Sequence, residues 1–260
     1  MSIRKIIPGL DYQASCVVFE GTSKIGENAS HQMDAPGFSF TQLKVSLIAA
    51  FGQERLFMLE RWQKKLVEAV GQKEADRLEI INDFFNNNFQ FVDDLAVWHQ
   101  SDYWATPIEL IGQGRGDCED VAIAKYYSLI VAGVAVEKLR LVYVKASTGG
   151  SKAKSVQAHM VLAYFPTPTS VPLVLDNLDI EIKSAALRSD LQPIFSFNSA
   201  AVWLGVAAAT SPRDSNVEHL TRWQDLQRRV RSQGVDEQEL RAGYGDELTN
   251  FHTQLYSVTR

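Results

Sequence analysis

Several features that would classify a protein at once are scarce in this chain. Only two of its 260 residues are cysteines, Cys16 and Cys118, which excludes a disulfide-rich scaffold and a four-cysteine zinc site. One bridge between the two stays formally possible, but we expect two free thiols. No apolar run reaches the roughly 18 residues that a helix needs to cross a bilayer, so no membrane span is expected.

An excess of basic charge is also missing. The formal net charge is -5 at pH 7, which gives no electrostatic footprint for nucleic acid, so no nucleic-acid partner is expected. Hydrophobic residues make up 45% of the chain and charged residues 22%, as in ordinary soluble globular proteins. The length allows a substantial core, and we expect one compact catalytic unit with a helical extension.

The beginning of the chain carries no convincing targeting signal. It has basic residues at Arg4 and Lys5, but Pro8, Gly9 and Asp11 interrupt the apolar run before it reaches the usual length of a signal peptide. No secretory signal or lipoprotein anchor is therefore predicted from the residues themselves.

Domain limits follow from the change of pattern along the chain. Residues 1–40 form an N-terminal segment of uncertain structure, and 41–230 form one catalytic domain. Within it we expect a helical lobe at about 41–135 and a sheet lobe at about 136–210. Residues 231–260 are expected to be a C-terminal tail.

The helical lobe is predicted from apolar residues at three- and four-residue spacings. An amphipathic helical hairpin, broken near Gly71, should occupy 41–85, with three asparagines ending its last helix. The stretch 98–116 mixes aromatics, a proline and three glycines, and is interpreted as an irregular segment. A further helix should run from about Cys118 to Ala132, with Gly133 at its C-terminal end.

Strands dominate the following part of the chain. Three segments rich in β-branched and aromatic residues are predicted at 139–146, 156–165 and 171–178, and another within 193–205. A final helix is expected at 216–234. Helices followed by antiparallel strands indicate an α+β domain.

Cys118 is a candidate nucleophile because of its predicted position. At the first turn of a helix, free amide N–H groups and the helix dipole stabilise a thiolate. The alternative is a small buried thiol packed under the helix, which is the commoner role of a lone cysteine.

Two further residues extend this pattern. His159 lies within a predicted strand among apolar residues, and Asp176 ends the next strand, so neighbouring strands could place their side chains together. Taken singly, His159 could be a core histidine and Asp176 a turn residue before Asn177. In the order Cys118, His159, Asp176 they describe a nucleophile, a base and an orienting acid.

The acidic neighbours of Cys118 oppose that role. Asp117, Glu119 and Asp120 surround it, and nearby carboxylates oppose the formation of a thiolate. One explanation is local: Asp117 caps the helix while Glu119 and Asp120 complement its dipole. That explanation accounts for each acid singly, but not for why all three crowd the thiol.

A family resemblance addresses this contradiction. The blocks VWHQSDYWATPIELIGQGRGDCEDVAIAKYYSL, LRLVYVKA, AHMVLAYFP, PLVLDNL and FSFN followed by WL resemble the bacterial transglutaminase-like cysteine proteinases. The resemblance covers about 84–204 and is weak outside 41–223. It implies a papain-like or transglutaminase-like α+β fold, in which a helical N-terminal lobe packs against an antiparallel sheet, and a triad that falls on Cys118, His159 and Asp176.

The same resemblance implies a calcium ion beside the nucleophile. Asp117, Glu119 and Asp120 offer the hard oxygen ligands that Ca²⁺ prefers, and a divalent cation would offset their opposition to the thiolate. Tyr103 and Trp104 are candidates for the wall of the substrate cleft, with core packing as the alternative, and the Trp104 region could supply a second oxyanion donor beside the Cys118 N–H.

The resemblance also implies a biological role. Family members are periplasmic proteases that cut an extended segment near the N-terminus of a large surface adhesin, after small residues such as paired alanines, and so promote detachment from a biofilm. An inner-membrane receptor that senses cyclic di-GMP holds them in check through its periplasmic domain. From the sequence alone two other functions stay open, namely transglutaminase-like acyl transfer to an amine and a non-catalytic calcium-binding interaction module.

Overall fold

The computed structural model of the chain describes residues 34–148, 155–205 and 221–243. Cys16 lies outside these ranges, as does most of the predicted segment 1–40. No helix within the described ranges combines the length and the apolar character needed to cross a membrane.

Helices and strands alternate little along the described chain. The helices are α1 Phe40–Phe51, α2 Leu56–Ala69, α3 Glu74–Asn88, α4 Asp94–Trp98, α5 Pro107–Gln113, α6 Cys118–Val131, α7 Thr221–Ser232 and α8 Glu237–Gly243. The strands are β1 Gln90–Phe91, β2 Arg115–Gly116, β3 Leu139–Thr148, β4 Ser155–Tyr164, β5 Leu173–Leu175, β6 Lys183–Ser184, β7 Leu191–Phe197 and β8 Val202–Leu204. Helices first and an antiparallel sheet afterwards confirm the predicted α+β class.

The predicted helical hairpin consists of three helices. The break near Gly71 is confirmed, and Gly71 has a φ of 84°. A second break, which the apolar spacing does not reveal, lies at Gly52, where a φ of 84° ends α1. Glycine adopts this left-handed region without steric penalty, so it permits the chain to turn there.

The stretch 98–116 contains a helix where an irregular segment was expected. Thr106 caps α5 by accepting from the Glu109 N–H at 3.2 Å, while the Glu109 carboxylate accepts from the Thr106 N–H at 2.8 Å. Pro107 occupies the first helical position, where no N–H is required. This capping box was the missed signal.

Helix α6 is the centre of the helical lobe. It ends at Val131, and Gly133 follows with a φ of 93°, as predicted for its C-terminal end. Every residue of α6 except Glu119 is buried. A helix buried on all sides can hold functional groups at both its start and its middle in fixed positions.

The main sheet has six strands in the order β6-β5-β4-β3-β7-β8, and all neighbouring pairs are antiparallel. One face packs in the main core with α6, through residues such as Leu141, Met160 and Leu162. Val142, Val144 and similar residues on the other face form a second, smaller cluster. The sheet therefore positions β4 directly beside α6, with β5 as the next strand after β4.

Residues beyond both expected domain limits contribute to the main core. Phe38, Val235 and Leu240 are at most 4% exposed. Phe38 and Val235 form an isolated antiparallel bridge. The packed domain thus includes parts of the segments assigned above to an N-terminal segment and a C-terminal tail.

Candidate active site

Cys118 is the first residue of α6, and its side chain is only 7% exposed. Its Sγ lies 2.6 Å from Oε2 of Glu119, to which the thiol donates. Burial and the charges of Glu119 and Asp117 raise the pKa of this thiol, while a hydrogen bond from the main-chain N–H of Met160 opposes the rise. Because Met160 directly follows His159, the thiol lies against the part of β4 that carries the histidine.

His159 and Asp176 are joined by a hydrogen bond. Nε2 of His159 and Oδ1 of Asp176 are 2.8 Å apart, and both side chains are almost fully buried. They lie on β4 and just after β5, which pair side by side. Oδ1 also accepts from the Leu178 N–H at 3.0 Å, which fixes the turn after the strand.

Arg188 binds the other oxygen of the same carboxylate. Its Nη2 donates to Oδ2 of Asp176 at 2.7 Å, and its side chain is 4% exposed. Burial alone would raise the pKa of Asp176, but the hydrogen bonds from His159, Leu178 and Arg188 lower that pKa to about 2. The sequence offered no pattern that pointed to Arg188.

The acids around Cys118 do serve as helix caps. Oδ1 of Asp117 accepts from the Glu119 N–H at 3.1 Å and from the Asp120 N–H at 3.5 Å. Asp120 is fully buried, and its Oδ1 accepts from the Ala105 N–H at 2.7 Å. The cap that the local explanation assigns to Asp117 is therefore present.

A third aspartate joins Asp117 and Asp120. Strands β1 and β2 form a two-residue parallel pair, which brings the chain before α4 next to the start of α6. One carboxylate oxygen from each of Asp94, Asp117 and Asp120 then lies within 4.8 Å of the others. Sequence reasoning missed Asp94 because only this short pairing, far along the chain from Cys118, places it there.

No lysine or arginine in the described part of the chain compensates the charge of these three carboxylates. Burial, together with repulsion from neighbouring carboxylates that include Glu119, raises the pKa of Asp117 to about 9 and that of Asp120 to about 8, and raises the pKa of Asp94 as well. Within the ranges that the structure describes, none of the three forms an ion pair with a lysine or arginine.

The cluster also fits a hard divalent cation. Oδ1 of Asp94 is buried without a hydrogen-bond partner. Converging carboxylate oxygens with one orphaned acceptor are what Ca²⁺ would use. Asp94, Asp117 and Asp120 are the residues that would hold it.

Glu119 is placed differently from the other two predicted ligands. Its carboxylate accepts from Cys118 and from the hydroxyl of Tyr143 at 3.2 Å, and it groups with Asp117 and Cys118 rather than with Asp94. The structure therefore brings Asp117 and Asp120 together around the three-aspartate cluster and directs Glu119 toward the thiol.

Gly116 gives the cluster the space it needs. A Cβ at this position would lie 2.4 Å from Oδ2 of Asp120 and 2.9 Å from the side chain of Leu110. Such contacts are too short for any larger residue, so the glycine before Asp117 leaves room for a carboxylate.

The two aromatic residues expected at the cleft wall have separate surroundings. Trp104 is 6% exposed and stacks on Phe197 with ring centroids 5.7 Å apart, which favours the core-packing alternative. Tyr103 is half-buried, and its hydroxyl lies 3.1 Å from Glu109 and 3.0 Å from Nη1 of Arg229. Arg229 also donates to the Trp104 carbonyl at 2.7 Å, so α7 supports this segment.

Comparison with known proteins agrees with this arrangement. A family model described as bacterial transglutaminase-like cysteine proteinase matches residues 59–190. A structure of Legionella pneumophila LapG is 34% identical, with a TM-score of 0.62, and the match covers 75% of this chain and 99% of that one. An EGTA-treated structure of that protein is 35% identical with a TM-score of 0.64, and the match covers 75% of this chain and 100% of that one. A calcium-bound structure is 35% identical with a TM-score of 0.60, and the match covers 71% of this chain and 96% of that one. No curated protein matches.

The mixed helical and antiparallel architecture is that of a transglutaminase-like cysteine proteinase, as the family model and the LapG structures together indicate. The family match spans half of the chain, and the structural match extends over three quarters of it. The chain therefore belongs to the bacterial transglutaminase-like cysteine proteinase family.

Proposed function

We propose that this chain is a calcium-dependent cysteine endopeptidase with Cys118 as nucleophile, His159 as general base and Asp176 as orienting acid. One observation carries the proposal: the thiol at the start of α6 lies against β4 beside a histidine that is hydrogen-bonded to a buried, ionised aspartate. This is the arrangement that thiol-based acyl transfer requires.

The first step is attack on a peptide carbonyl. The Cys118 proton moves to Nδ1 of His159, and the resulting thiolate adds to the carbonyl carbon. Asp176 accepts from Nε2 and so stabilises the imidazolium that forms. Because Arg188 and Leu178 keep Asp176 ionised, its negative charge is available throughout the step.

The second part is collapse of the tetrahedral intermediate. The main-chain N–H of Cys118 has no hydrogen-bond partner among the described residues and can donate to the oxyanion. His159 returns its proton to the leaving amine, which leaves a thioester on Cys118. A water molecule, deprotonated by His159, then hydrolyses the thioester and frees the thiol.

Calcium at the three-aspartate cluster would supply positive charge that offsets the carboxylates beside the nucleophile. Without such an offset, burial and acidic neighbours hold Cys118 in the thiol form. The donor set of Asp94, Asp117 and Asp120 supports this role, and Glu119 contributes charge next to the sulfur.

The substrate, location and partner follow from the family resemblance. We propose that the protein acts in the periplasm on an extended, small-residue segment near the N-terminus of a large cell-surface adhesin, and that its cut promotes biofilm detachment. The proposed inhibitory partner is an inner-membrane receptor for cyclic di-GMP, which would bind the protease through its periplasmic domain.

The test is cleavage of an N-terminal adhesin fragment from the same cell. The wild-type protein with calcium, the wild-type protein with EGTA and the Cys118→Ala variant with calcium should be compared by product mass. Cleavage in the first reaction alone is the expected result. Loss of the fragment into amine-labelled or cross-linked product would instead indicate acyl transfer.

A binding function would give another outcome. If the fragment stayed intact in all three reactions but bound equally to the Cys118→Ala and wild-type proteins, the endopeptidase proposal would be wrong. Calcium dependence of that binding would then point to an interaction module.

A further inference from the structure

A buried lysine lies at the contact between the nucleophile helix and the chain that carries Asp176. Lys125 is on α6, seven residues after Cys118, and is 0% exposed. Lysine is almost never fully buried unless it is paired, because removing an ammonium group from water costs free energy. Its partners here are not acids.

All three ammonium hydrogens have acceptors within reach. Nζ lies 2.9 Å from Oδ1 of Asn82, 2.8 Å from Oδ1 of Asn86 and 3.1 Å from the main-chain oxygen of Asp176. No carboxylate lies within ion-pair distance among the described residues. An ammonium group offers three donors in a tetrahedral arrangement, and this site uses each of them.

The two asparagines complete the same network. They are one turn apart on α3, and Nδ2 of Asn86 also donates to the Asp176 carbonyl at 2.8 Å. Nδ2 of Asn82 donates to the carbonyl of Ile180 at 2.8 Å, four residues further along the chain. The turn at 176–180 is therefore held by its main chain to α3 and α6.

We infer that Lys125 is a positioning residue for the proposed reaction: it fixes the main chain of Asp176 to the helix that bears Cys118, and so sets the His159 imidazole relative to the thiol. This inference rests on the proposed cysteine-protease chemistry. Lys125 touches no reacting atom and acts through Asp176.

The electrostatic surroundings of Lys125 make its burial unfavourable. Burial lowers the pKa of Lys125 to about 7, while the charge of Asp176 opposes that decrease. A buried lysine therefore costs free energy, which its hydrogen bonds to Asn82, Asn86 and the Asp176 main chain have to offset.

The experiment compares Lys125→Met with a matched control on the same helix. Ser128→Ala removes a buried hydroxyl whose hydrogen bonds go to Trp62 and the Ala124 carbonyl rather than to 176–180. Three quantities are measured with calcium present: the pH profile of Cys118 alkylation by iodoacetamide, the kcat and KM for the adhesin fragment, and the melting temperature.

For Lys125→Met we expect the alkylation rate at pH 7 and kcat to fall by about 10- to 100-fold with KM nearly unchanged. The melting temperature should fall as well, because Asn82 and Asn86 lose their donor. Ser128→Ala should lower the melting temperature and leave the alkylation profile at its wild-type position. An unchanged profile and kcat in Lys125→Met would overturn the inference.

Two further measures keep the test decisive. Asn86→Ala removes the other donor to the Asp176 carbonyl and should shift the alkylation profile in the same direction, even if Lys125→Met does not fold. Alkylation needs no peptide substrate, so failure of the wild-type protein to cut the fragment would count against the proposed function and leave this inference testable.

Discussion

Two groups of carboxylates flank the proposed nucleophile and base, and they have opposite electrostatic surroundings. Asp176 is buried with Arg188 and His159, and its pKa is held at about 2. Asp117 is partly buried and Asp120 fully buried, but their pKa values are raised to about 9 and 8. The same side-chain type is thus stabilised as an anion in one place and destabilised in the other.

The difference lies in where the compensating charge comes from. For Asp176 the protein itself supplies a guanidinium group. For the three-aspartate cluster, no lysine or arginine among the described residues supplies a compensating positive charge. That positive charge has to come from a bound cation or from protons on the carboxylates. The charge of Asp176 is therefore compensated within the folded chain, whereas the charge of the three-aspartate cluster would be compensated by what binds there.

The largest expected effect comes from removing a carboxylate from the cluster. Asp120→Ala should reduce cleavage by at least about 100-fold, since even residues behind metal ligands cost about 10- to 100-fold when replaced. Saturating calcium should raise the melting temperature of the wild-type protein by about 5–10 °C and leave that of the variant unchanged.

Thermal unfolding with calcium and with EGTA measures both proteins. Asp225→Ala, which removes the two ion pairs of an exposed carboxylate with Arg228 and Arg229, should keep the full calcium response. If Asp120→Ala kept that response as well, the cation would not bind at this cluster.

Removing the guanidinium group of Arg188 should have the next largest effect. Arg188→Met leaves Asp176 buried without its guanidinium partner, which should cost about 3–5 kcal/mol of unfolding free energy and reduce kcat by roughly tenfold. Urea unfolding and steady-state kinetics measure the two quantities. A variant as stable and active as wild type would show that His159 and Leu178 suffice to hold Asp176.

A smaller effect on the reactivity of the Cys118 thiol is expected from Glu119, whose role should differ from that of the three aspartates. Glu119→Gln removes the charge nearest the Cys118 sulfur, so in EGTA the thiol pKa should fall and alkylation at pH 7 should speed up by about tenfold. Because Glu119 groups with Cys118, the calcium-dependent rise in melting temperature should persist. Loss of that rise would instead make Glu119 a calcium ligand.

The smallest expected effect is in the acid dependence of stability. Asp176 titrates at about 2 in the folded protein and near 3.9 when unfolded, so its contribution is fully present above about pH 4 and is lost as pH falls toward 2. The stability difference between wild type and Arg188→Met should narrow over that range. Urea titrations at several pH values test this, with Arg228→Met as an exposed control.

The parts of the site that the sequence predicted share one property. Cys118, His159 and Asp176 lie at places that periodicity and turn signals locate, namely a helix start, a strand and a strand end. Asp94 and Arg188 lie in short elements or loops whose partners are chosen by tertiary packing, so no local pattern marks them. The position of Glu119 likewise depended on side-chain direction.

The fold shows the same division. Long amphipathic helices and β-branched strands were predictable because burial of one face dictates their spacing. Helix α5 was missed because its aromatic, proline and glycine neighbours suggested a loop, although Thr106 and Glu109 had marked its start. Gly52 was missed because a helix break by a single glycine leaves the apolar spacing almost unchanged.

The steric requirement at Gly116 gives a way to examine other sequences. A chain could keep a cysteine, a histidine and an aspartate in suitable order while carrying alanine just before the acidic run. In such a chain the carboxylate equivalent to Asp120 would be displaced, because a methyl group would occupy its place. If calcium binds at this cluster as proposed, a single carbon atom at a position without chemistry of its own would thus identify a relative that keeps these three residues but has lost its response to calcium.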